Sequence, residues 1–184
     1  AFGTLVGVGA SALMSLRLGQ KDYITANKIL GNVLVLNLIF GLTYSVIVLL
    51  FLDQILLFFG ASSETLPYAR DFMTIITLGN VVTHMYFGLN ALMRATGNPK
   101  RSMYATIVSV IINVILAPLF IFGFKWGIRG AALATVIAQT SMLIWQLSYF
   151  RNEENYIHFQ KGSFRLKRKI VTDSMSIGLA PFLM

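Results

Sequence analysis

The chain has no cysteine, and among its 184 residues only seven carry a carboxylate and two are histidine. The first absence excludes disulfide scaffolds and thiolate metal sites. The carboxylates, Asp22, Asp53, Glu64, Asp71, Glu153, Glu154 and Asp173, all avoid the longest apolar stretches. Charge as a whole is scarce. Charged residues make up 12%, hydrophobic residues 56%, and mean hydropathy is +0.71. A soluble domain carries about 25% charged residues. Residues 30–52, 72–93, 102–124 and 130–150 contain no Asp, Glu, Lys or Arg at all. Each run can cross a hydrocarbon core of roughly 30 Å as a helix of about 20 residues. The runs are apolar all round, as in VLVLNLIFGL, rather than alternating as barrel strands would be. The fold class is therefore all-α, a polytopic transmembrane helix bundle.

Both ends sit inside apolar sequence: residue 1 is Ala, residues 1–16 are uncharged, and Ile170–Met184 stops near the point of bilayer entry. The expectation is a partial chain that starts within one helix and ends within another. Residues 1–150 form the helix bundle, 151–169 a polar loop, and 170–184 the start of a further helix.

Only four prolines are present, and each has a position. Pro67 suits the first turn of the third span, and Pro99 follows RATGN as the N1 residue of the fourth, with Gly97 as a left-handed cap and Asn98 as N-cap. Pro118 falls inside the fourth span, where its missing N–H predicts a kink. Gly19 in RLGQKD predicts the stop of the first span, and the partly apolar 53–67 loop a short interfacial helix. Gly3, Gly7 and Ser11 at spacings of four form a close-packing face, as do Gly130, Ala134 and Ala138. GVG at 7–9 follows no strand and is not a phosphate loop.

Polar residues inside the spans are candidates for a solute or ion path. Asn113 precedes the Pro118 gap by about one turn, and Thr135 opens the next span. Asn37, Gly41 and Tyr44 share a face that reads as a helix contact. His84 stands alone, with no second His, Cys or carboxylate at ligand spacing. It is either a satisfied interior imidazole or a proton-handling group, and no metal site is expected. An intramembrane enzyme would need paired carboxylates or a metal cluster within the spans, so the chain reads as a non-enzyme.

Basic residues set the orientation. Loops 17–28, 94–101 and 151–169 hold twelve of the fifteen Lys and Arg, and the opposite side only Arg70, Lys125 and Arg129. The first set is expected on the cytoplasmic side. FRLKRK at 164–169 then lies against anionic headgroups rather than nucleic acid.

In GVGASALMSLRLGQKD, NALMRATGNPKR, NVILAPLFIFGFKWGIRGAALATVIAQ and IGLAPFLM the chain resembles the multidrug and toxic compound extrusion (MATE) transporters. The resemblance implies a twelve-helix protein of two pseudo-symmetric lobes in a bacterial inner membrane. It would export cationic or amphiphilic drugs in antiport with protons or sodium. This chain would supply helices two to six of the N-lobe and the start of seven, with the remaining lobe and the lipid bilayer as its partners. No cofactor is implied beyond the coupling H+ or Na+. Some members hold a cation in the N-lobe, and that motif carries over to Asn90, Asn113 and Thr135. Its aspartate position falls on Ala117, which weakens sodium and favours protons. The alternatives are a lipid-linked oligosaccharide flippase of the related superfamily, against which the uncharged interiors speak, and a non-transporting remnant.

Overall fold

A computed structural model describes the backbone of residues 2–160 and 162–183 and the side chains of 6–160 and 162–179. Lys161, Met184 and the surroundings of Gly3 and of the closing APFLM lie outside the described residues. Eight α-helices run in order: α1 (Phe2–Gly19), α2 (Tyr23–Leu50), α3 (Leu52–Phe58), α4 (Leu66–Leu78), α5 (Asn80–Ala95), α6 (Pro99–Pro118), α7 (Gly127–Arg151) and α8 (Arg168–Leu183). No strand occurs among the described residues. Among the described residues three helical stretches are long and apolar enough to cross a membrane, four if α4 and α5 count as one bent span.

Local chemistry sets the helix ends. Asp22 caps α2, its Oδ1 accepting the Thr25 N–H at 3.0 Å. Hydrogen bonding to Thr25 holds the Asp22 carboxyl below the usual carboxylate range. A depressed carboxyl keeps its cap above the ordinary value of about 3.9 and loses it only as pH falls through the lowered one. Asp22→Ala should therefore speed exchange of the Thr25 amide at neutral pH. Asp22→Asn should keep that amide protected and remove the acid limb, and an unchanged pH profile would contradict the cap. Gly97 adopts φ +80° after α5, and Pro99 opens α6. Asn98 occupies the cap position, but its side-chain amide turns back to donate to the Thr96 carbonyl at 3.2 Å. At the end of α1 the left-handed residue is Lys21, φ 58°, and not Gly19.

Two spans depart from straight helices. The third, expected whole over 67–93, breaks at Gly79, and its halves meet at 50°. Val136 of α7 occupies the place of a side chain at Gly79, and Ser45 of α2 donates to the Thr77 carbonyl at 2.8 Å. Packing and a borrowed hydroxyl thus stabilise a break that glycine permits. After Pro118 the fourth span changes winding, and Leu119–Gly123 form a π turn. The N–H of Phe124 reaches the Leu119 carbonyl, and that of Trp126 the Phe120 carbonyl, each at 3.0 Å. A wider turn accommodates the N–H that proline lacks. Gly130 then lets α7 press on this turn, since a Cβ there would lie 2.8 Å from the Phe120 carbonyl carbon.

Burial is concentrated at one end, where the 20–22, 96–98 and 152–167 segments lie. Val6, Ala10 and Met14 of α1 pack there with Ile29, Leu30 and Val33 of α2, Leu89, Leu92 and Met93 of α5, and Phe150 of α7. The polar 152–167 connector is strapped onto α2 at this end. Asn27 accepts the His158 N–H at 2.9 Å, and the fully buried Asn32 amide bonds Ser163, Arg165 and Lys167 of the connector. At the opposite end α3 leaves Phe58 and Phe59 exposed, as a short interfacial helix would.

Candidate functional site

The α6–α7 hairpin brings Asn113 and Thr135 together. Asn113 Nδ2 donates to Thr135 Oγ1 at 3.0 Å, and that hydroxyl donates its own hydrogen to the Ala131 carbonyl at 3.1 Å. The hydroxyl is thus satisfied in both roles, while Asn113 Oδ1 has no partner among the described residues. Ala117, one turn further along α6, brings only a methyl group. No cluster of three His, Cys, Asp or Glu exists among the described residues. The Asn113–Thr135 contact itself presents neutral oxygen donors alone.

A second polar pair continues the line and has no counterpart in the sequence reading. Gln139, one turn beyond Thr135 on α7, accepts a hydrogen bond from the Thr83 hydroxyl of α5. Thr83 follows the Gly79 break by four residues, and its hydroxyl also lies 3.4 Å from the Gly79 carbonyl. The four-residue spacing from Thr135 to Gln139 inside an uncharged window was the available signal. Thr83 gave none, because only the α5–α7 crossing brings it there.

Asn90 belongs elsewhere. It is buried between α5 and α6, its Nδ2 donating to the Ser102 carbonyl at 3.2 Å and its Oδ1 accepting from Ser102 Oγ at 2.6 Å and from Arg94. The Asn113 position lies seven residues beyond Thr106, the last member of that cluster, which is roughly 10 Å along the helix. Here Asn90 anchors Arg94 at the packed end, and it does not meet Asn113 or Thr135. His84 is buried on α5, with Nδ1 2.9 Å from the Asn80 carbonyl and its ring 6.3 Å from that of Tyr44. A carbonyl only accepts, so Nδ1 carries a hydrogen and Nε2 is the nitrogen open to a proton. Pro118 shapes the hairpin through the π turn and contributes no ligand.

The carboxylates stay at the edges. Asp71 pairs with Arg129 at 2.8 Å and Asp53 with Arg70 at 3.1 Å, closing the less basic end.

An all-helical bundle with apolar spans, a broken span and a neutral polar hairpin defines a multi-pass membrane protein. Residues 1–119 match the MatE family, and the chain belongs to it. It is 35% identical over its whole length to the multidrug export protein MepA of Staphylococcus haemolyticus (strain JCSC1435), covering 41% of that protein. Among solved structures, it superposes on an inward-facing multidrug resistance MATE transporter of the MOP superfamily with a TM-score of 0.91. That match is 25% identical and covers 96% of this chain and 40% of the other. An outward-facing MATE transporter gives a TM-score of 0.90 at 26% identity, covering 98% and 40%. The fold is that of the MATE N-lobe, and the chain spans about two fifths of the relatives it matches.

Proposed function

We propose that this chain forms the N-lobe of an exporter of cationic or amphiphilic drugs, driven by antiport with protons or sodium, protons being favoured. Support comes from the similarity to multidrug export protein MepA and from the Asn113–Thr135 contact. The contact sets two neutral ligands on the α6–α7 hairpin without a carboxylate. Neutral oxygens orient a solute but do not neutralise a bound sodium ion. The twelve-against-three division of basic residues supports an orientation with loops 17–28, 94–101 and 151–169 on the cytoplasmic side of a bacterial inner membrane. His84 Nε2 is the one imidazole nitrogen at depth for proton handling.

Fluorescent-dye efflux from cells carrying the gene tests this reading. Asn113→Ala and Thr135→Val should each reduce gradient-dependent efflux about tenfold, the worth of one hydrogen bond of roughly 1.4 kcal/mol. Asn37→Ala, on the packed α2–α5 face, should stay within about twofold at equal membrane abundance. Equal losses in all three, or efflux indifferent to the proton gradient, would overturn it.

A further inference from the structure

At the packed end, the last turn of α1, the first turns of α2 and the start of α8 enclose a cavity of about 220 Å3. Arg17, Lys28, Lys167 and Lys169 line it, with Asp173 as the only carboxylate and Thr25 as a neutral hydroxyl. None of the four cations forms a direct ion pair among the described residues, and the Asp22 carboxyl, which feels the charges of Arg17 and Lys28, is already engaged as the α2 cap. Surface lysines ordinarily spread into water, and here the backbones carrying two of them are held by a shared side chain. The Asn32 amide donates to the Lys28 carbonyl at 2.8 Å and accepts the Lys167 N–H at 2.8 Å, so one buried side chain fixes both backbones. Arg17 adds an unmet demand. One terminal nitrogen donates to Gln20 at 3.0 Å, whereas its Nε is buried without any acceptor. A buried charged donor with no partner marks a place where a ligand oxygen is wanted.

The first turn of α8 also lines the cavity and adds the positive end of a helix. The floor is apolar, formed by the buried Leu13 and Ile170. Leu16, Ile24 and Leu166, each next in sequence to a lining residue, are exposed. Cations above apolar surface at a membrane boundary suit an amphiphile with an acidic head. We propose that this cavity binds the phosphate of an anionic phospholipid, seating the headgroup at the seam of α1, α2 and α8. Cationic Arg17, Lys28, Lys167 and Lys169 hold the phosphate oxygens, and the acyl chains lie along the uncovered leucine and isoleucine side chains. A free phosphate ion would use the same charges but gain nothing from that apolar margin. This inference rests on the membrane fold and not on what is transported.

The test is native mass spectrometry with thermal melting of the detergent-purified protein. It is titrated separately with phosphatidylglycerol, phosphatidylcholine and inorganic phosphate. Phosphatidylglycerol should form a discrete one-to-one adduct and raise the melting temperature, and the other two should not. Each lysine near a membrane surface contributes about fivefold to such binding. Lys28→Gln with Lys167→Gln should thus weaken phosphatidylglycerol more than about tenfold, and Lys100→Gln with Arg151→Gln, at the same end but outside the cavity, should leave it unchanged. Should the first pair fail to fold, Lys169→Gln alone should cost about fivefold. Equal adducts with both lipids, full competition by inorganic phosphate, or unchanged affinity in the lysine variants would overturn the proposal.

Discussion

Asn32→Ala is expected to release the connector from α2. The side chain is wholly buried and bonds two connector carbonyls, Ser163 and Arg165 at 3.1 Å each, and one connector N–H, Lys167 at 2.8 Å. Alanine leaves these groups facing a site that water reaches poorly, at about 1–3 kcal/mol for each group left unmet. A total of about 3 kcal/mol corresponds to more than a hundredfold in the closed-to-open ratio. Exchange of the Lys167 amide should accelerate by that order, and protease should nick residues 155–167. Asn27→Ala removes a single bond to His158 and should produce about a tenfold change. The ranking follows from the number of groups orphaned, so equal exchange in both variants would refute it.

Gly9→Val should displace α8 from α1. A Cβ at Gly9 would overlap the Ser174 carbonyl and lie 2.7 Å from the Gly178 backbone nitrogen. Both obstacles are main chain and cannot rotate aside, so the helices must separate. Overpacking costs typically 1–3 kcal/mol even where side chains yield, and here the cost should reach the top of that range or beyond. The absence of cysteine supplies a clean readout. A cysteine placed at the buried Ser174 should resist thiol reagents with Gly9 present and react once Gly9→Val is added. Gly19→Val, where a Cβ meets nothing within 4 Å, should leave that cysteine protected.

The helical membrane fold was legible because charge is absent over whole spans, a signal that needs no tertiary context. Asn113 and Thr135 were also readable as candidates, since a polar residue in lipid is costly wherever it points. Their partners were not readable. Asn90 looks like a third member by motif, yet Ser102, Thr106 and Arg94 already occupy its amide, and only the α5–α6 crossing angle determines that. The break at Gly79 depends on Val136, 57 positions away, filling the missing side chain's place. Gly79 alone is compatible with an unbroken helix. The anchoring of the connector was the least legible part. Its charges suggest a loop resting on headgroups, and Asn27 and Asn32, set in an apolar segment, add a strap through backbone atoms that sequence cannot display.

The uneven burial has a mechanical consequence. In α6 the buried positions are Ser102, Ala105 and Ser109, all within its first eleven residues, and the π turn has none. In α4 only Thr77, beside the break, is buried. Helix α6 is gripped at one end and loosely held at the other, so it behaves as a lever with its fulcrum near Leu89, Met93 and Phe150. A 25-residue helix is about 37 Å long, and a tilt of about 5° at the fulcrum moves its far tip by roughly 3 Å. Such a tilt breaks no contact in the gripped half and opens a gap a water molecule can enter. The hairpin carrying Asn113 lies on the long arm.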